Sequence, residues 1–144
     1  MARLRWIDTS SPEKWICVLP AHLTIEEFDQ EFGEAMETMR RLPDGQRLVV
    51  LTDLSQVAES NSRRRKSAAQ FITEYKPVLC RHVVAWGFVA SGVMRGALTA
   101  IGWIGAFPVP MSAFTTRREC EAWLEERLAE DRVADGAHDE IGEE

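Results

Sequence analysis

From Val83 to Phe114 the chain carries one charged residue, Arg95, in 32 positions. Charged residues make up 28% of the whole sequence, so this segment stands apart from its surroundings. Such a run has to be covered by the protein core, by a partner or by a membrane. Its longest helix-compatible stretch, GALTAIGWIGAF from Gly96 to Phe107, has 12 residues. A bilayer span needs roughly 20. Pro108 and Pro110 end the stretch, and Gly92 interrupts it upstream. Two shorter elements fit better: a buried strand over Val83–Ala90 and an apolar helix from Ser91 to about Ala106. No transmembrane segment is expected. Peripheral contact with a membrane surface stays open.

The chain has 144 residues, enough for one domain around a single core. Its net charge of −6 is unevenly placed. Residues 131–144 hold six acids and one Arg; without them the balance is 16 basic against 17 acidic residues. We therefore expect a near-neutral domain over residues 1–130 and a disordered acidic tail over 131–144. A body this close to neutral does not suit general nucleic-acid binding. Cys17, Cys80 and Cys120 are far apart and form no CxxC pair. Arg3, Arg5 and Asp8 lie where the apolar core of a signal peptide would begin. Reduced thiols in a cytoplasmic protein are the expectation.

RLRWI and WICVL, at 3–7 and 15–19, are short apolar runs around the turn-forming spacer DTSSPEK, which predicts a β-hairpin. Thr24 and Glu27 have capping-box spacing. Ile25, Phe28, Phe32, Ala35, Met36 and Met39 then recur at helical intervals. Leu48–Thr52 reads as a strand buried on both faces, as parallel strands are. A helix is predicted from about Asn61 to Lys76, stopped by Pro77. After the apolar run come a short strand, Met111–Phe114, and a last helix from Thr116. That helix turns Cys120, Trp123, Leu124 and Leu128 inward. The order β-β-α-β-α-β-α-β-α implies a mostly parallel sheet.

This order resembles the STAS superfamily, the fold of the anti-sigma-factor antagonists, over roughly residues 12–130. One local segment carries the likeness further. Asp53-Leu54-Ser55-Gln56-Val57 is followed by Asn61-Ser62 at the offset where the antagonists place Asp-Ser at a helix start. The family's Asp is replaced by Asn61, and the Ser-Gly that follows by Arg63-Arg64. The second half, VAWGFVAS and FTTRRECEAWL, looks like stand-alone bacterial STAS-like proteins. The resemblance implies an α/β fold, a βα superhelix. Its sheet would be mixed and mostly parallel, of about four to five strands, with about four helices largely on one side. It also implies that Ser62 matches the serine the family's kinases phosphorylate.

Several residues invite a functional reading, each beside a plainer one. Ser62 sits where helix N–H groups favour a phosphate, or is simply an N-cap. Arg63, Arg64, Arg65 and Lys66 oppose the helix dipole. They suit an acidic partner, a phosphorylated group or the acidic tail, or form only a solvated face. Asp53 ends a strand at the sheet edge where α/β proteins put their sites, or caps its own loop. Met94, Leu98, Ile101, Trp103, Ile104 and Phe107 give the helix after Ser91 more apolar surface than one stripe needs, so an interface is expected. Burial between helices is the alternative. His22, His82 and His138 have no metal-ligand spacing. No cofactor motif is present, and no catalytic pair is evident.

The expectation is a non-enzymatic interaction or regulatory domain in bacterial signalling, with a protein partner and self-association. The alternative is a small-molecule or lipid-binding module. It would use an apolar cleft near helix 92–106, between Trp103 and the Met36/Met39 helix.

Overall fold

The computed structural model describes residues 6–57, 62–92 and 107–142. Among these are β1 (Ile7–Asp8), β2 (Lys14–Val18), α1 (Ile25–Arg40), β3 (Leu48–Asp53), α2 (Ser62–Glu74) and α3 (Lys76–His82). β4 (Val83–Val89), β5 (Met111–Phe114) and α4 (Arg117–Gly142) follow. The strands lie in one sheet in the order β1-β2-β3-β4-β5. β1 runs antiparallel to β2, and every later pair is parallel. This is the mixed, mostly parallel α/β sheet that the element order implies.

β3 and β4 are buried on both faces, so their side chains alternate between two cores. Leu48, Val50, Trp86 and Phe88 join Phe28, Phe32, Met36 and Met39 of α1 and Val78 and Leu79 of α3. Phe71 and Ile72 of α2 pack on the same side. Val49, Leu51, Ala85 and Val89 face the other way, against Cys120, Leu124 and Leu128 of α4. Among the described residues, three helices cover one face and α4 covers the second. Gly87 lets α4 approach closely: a Cβ there would lie 2.4 Å from Cys120 Sγ.

Thr24 caps α1 as its spacing predicts, with both reciprocal bonds to Glu27 formed at 3.1 Å. One expectation changes. Pro77 does not end the second helix. α2 ends at Glu74, and Pro77 sits in the first turn of a separate α3, where its missing N–H costs nothing. The domain boundary expected after Glu130 falls within α4, which runs from Arg117 to Gly142. Two contacts join α4 to the body just past Glu130. Arg47 Nε and Nη2 donate to the Asp131 carboxylate at 3.2 and 3.1 Å, and Arg132 pairs with Glu13.

Candidate functional site

Val18, Asp53, Val89 and Phe114 pair in register across β2, β3, β4 and β5, so the four parallel strands end on one line. Backbone bonds carry this row one residue further. Leu19 N–H donates to the Asp53 carbonyl (3.1 Å), Leu54 N–H to Val89 (2.8 Å) and Ala90 N–H to Phe114 (2.9 Å). The loops leaving this carboxyl edge lead to the starts of α1, α2 and α4. Thr116 caps α4, accepting the Glu119 N–H at 3.2 Å and donating to its carboxylate at 2.9 Å. This is where an open α/β sheet puts its sites, and it gathers Asp53 and residues 62–66.

Asp53 Oδ1 accepts the Ser55 N–H at 2.9 Å. The carboxylate closes its own turn, as short polar side chains after a strand do. Of its two sequence readings the loop cap is the one seen. The resulting loop, with Val57 N–H bonded to the Leu54 carbonyl at 3.0 Å, starts the chain toward α2. Ser62 and Arg63–Arg65 form the first turn of α2, with no acid among them. Lys66 is exposed beside them. Ser67 Oγ donates to Asp29 at 2.6 Å and fastens this end of α2 to the start of α1.

The thiols nearest this edge, Cys17 and Cys120, are buried. Burial pushes Cys17 up to about 12, opposed by its hydrogen bond to Thr52. Burial, with Glu121 and Asp53 adding negative charge, does the same to Cys120. Thr52 also accepts the buried Trp86 indole N–H at 2.8 Å. His82, fully buried, donates Nδ1–H to the Gln46 carbonyl at 2.8 Å on the opposite edge of the sheet. Among the described residues no group of three His, Cys, Asp or Glu side chains is placed to hold a metal. No described helix is long and apolar enough to cross a membrane.

The expected interface residues Met94, Leu98, Ile101, Trp103 and Ile104 lie outside the described residues. Phe107 is described and turns inward: its ring meets Trp86 and Phe88 edge-on at 5.4 and 6.1 Å. Met36 and Met39, expected to wall an apolar cleft, are 2% and 0% exposed and fill the core. An open groove of about 1130 Å³ lies instead along β1 and α1, with Asp8, Glu34, Glu37 and Arg41 on its walls. Tyr75 OH donates to Glu37 there at 2.9 Å, and burial and that carboxylate raise its pKa. Sequence reasoning did not foresee the Arg47–Asp131 pair or the Gly87–Cys120 approach. Neither has a local signal, because the partners are joined only by the packing of α4.

No family model matches the sequence, and no curated protein matches it. The fold does have a match. The crystal structure of an uncharacterized protein of the DUF3478 family with a SpoIIAA-like fold, from Shewanella loihica PV-4, was solved at 2.25 Å. It superposes with a TM-score of 0.60 over 82% of this chain and 90% of that one, at 14% sequence identity.

Proposed function

We propose that this chain, which has the SpoIIAA-like, STAS-type fold, is a non-enzymatic regulatory domain that works by binding protein, including a second copy of itself. It would act in the cytoplasm of a bacterium as a signalling component. The observation that carries the reading is the state of the carboxyl edge. Asp53 is committed to its own turn, and Cys17 and Cys120 are held as buried thiols. What the edge offers to a ligand is surface: the exposed Ser55 and Gln56 and the cationic start of α2. Ser62 at that start is the candidate for modification. Phosphate there would meet free helix N–H groups and neighbouring cations.

Self-association is assigned to the apolar segment 94–104, whose Trp103 is of the residue type that dominates interface energies. Sedimentation equilibrium tests it. The wild type should exceed the monomer mass of 16.3 kDa at micromolar concentration. Ile104→Glu should shift it toward monomer with an unchanged circular dichroism spectrum. A wild type that stays monomeric when concentrated, or a variant that unfolds, would return the segment to the core.

A further inference from the structure

α4 is longer than the sheet it covers. Its 26 residues span about 39 Å at about 1.5 Å per residue. The six of β3 span about 20 Å at about 3.3 Å per residue. Starting from the carboxyl edge, α4 reaches the opposite edge at Asp131 and Arg132, which pair with Arg47 and Glu13 just before β3 and β2. Just beyond that its described side chains are open to solvent. Arg132, Val133, Ala134 and Asp135 are all exposed, and four consecutive residues go once round a helix. Val133, 72% exposed, is the large hydrophobic residue left open among the described residues. A helical end without a packed face gains little from tertiary contact.

The charges of this arm run against its helix dipole. Asp135, Asp139 and Glu140 lie toward the negative C-terminal end of α4, whose last turn has no basic residue. The first turn of α2 has the mirror-image fault: Arg63, Arg64 and Arg65 sit at the positive N-terminal end with no acid. The two misfits are complementary, but within one molecule they lie at opposite edges of the sheet. Ser67 ties the basic turn to the start of α1 at the carboxyl edge. Asp131 ties the arm to the amino edge. The acidic end therefore cannot fold back on the basic turn of its own chain.

We infer that the acidic arm of α4 docks on the basic first turn of α2 of a second copy, head to tail. Each contact would bring opposite charges and opposite dipole ends together. Each such contact leaves an arm on one copy and a basic turn on the other for further copies, so the association continues into a ring or an open chain. The residues it uses are not those of the apolar segment 94–104. Long-range charge attraction is screened over about 3 Å at 1 M salt and about 30 Å at 0.01 M.

The experiment uses two full-length variants: Arg63→Glu/Arg64→Glu/Arg65→Glu, and Asp135→Lys/Asp139→Lys/Glu140→Lys. Both replace residues that the helix dipoles disfavour with ones they favour, so neither should unfold. Mass is followed by sedimentation at low and high salt. The wild type should grow beyond a dimer with concentration at low salt and lose that growth at high salt. Each variant alone should lose the salt-dependent part. An equimolar mixture of the two should regain it, because each then offers the charge the other lacks. A wild type whose mass ignores salt, or a mixture no larger than the separate variants, overturns the inference. Association that survives high salt belongs to the apolar segment and reports on that reading alone.

Discussion

Gly87 on β4 faces Cys120 on α4 so closely that a side-chain carbon added at Gly87 would overlap the sulfur, at 2.4 Å. Leu124 side-chain carbons stand 3.4 Å from the same point, and both Cys120 and Leu124 are fully buried. The absent side chain sets the distance between helix and sheet. Gly87→Ala should therefore destabilise the fold by about 1–3 kcal/mol, the usual cost of overpacking a tight core. The loss should shrink in a Cys120→Ala background, since the two sites share the clash. Urea unfolding of the four-member cycle measures this. Equal costs in both backgrounds would mean that α4 simply moves aside.

Arg47 joins three elements. Besides Asp131, its Nη1 donates to the Arg81 carbonyl at 2.9 Å at the end of α3. The side chains are 35% and 23% exposed, so the pair is partly screened. Asp131→Ala should cost about 1 kcal/mol. A chain ending at Glu130 should lose at least as much. One ending after Arg132 should melt within a few degrees of the full length. If truncation at Glu130 changes nothing, the pair contributes no stability.

Glu121 accepts a hydrogen bond from Lys14 Nζ at 2.8 Å, and this partner first, with Arg117 after it, holds its pKa below the ordinary 4.5. A carboxyl whose folded pKa is depressed stabilises the native state above its unfolded value and loses that contribution as pH falls through the folded one. Melting temperatures should show Glu121→Gln less stable than wild type at neutral pH. The gap should narrow only below about pH 4.5. A gap that stays constant to low pH would assign the effect to packing.

The three thiols should divide by burial. Cys80 is exposed, while Cys17 and Cys120 are buried. An aromatic disulfide reagent should label one thiol per native chain quickly and all three only with denaturant. Fast native labelling of more than one would mean that α4 or β2 opens readily.

Much of the fold can be read from local pattern. Met111–Phe114 and the cap of α1 lie where the apolar run and the Thr24/Glu27 spacing put them, and β3 extends the expected Leu48–Thr52 run by one residue. Those signals act over a few residues, and the chain spells them out directly. Where Pro77 falls was legible, but not its effect, because a proline that ends one helix serves equally to start the next. The same holds for Asp53: its position at a strand end is written in the sequence, its use as a turn cap is not.

By itself the sequence determined the number and order of most elements, the parallel core strands and the uneven charge. Periodicity and turn chemistry are short-range properties. The tertiary structure alone decided that α4 would pack on the face of the sheet opposite α1, settle against Gly87 and be held by Arg47. It also set the acidic arm and the basic turn at opposite edges. Such contacts join residues as far apart as 47 and 131, and no local pattern encodes which distant side chain the packing of a helix will deliver.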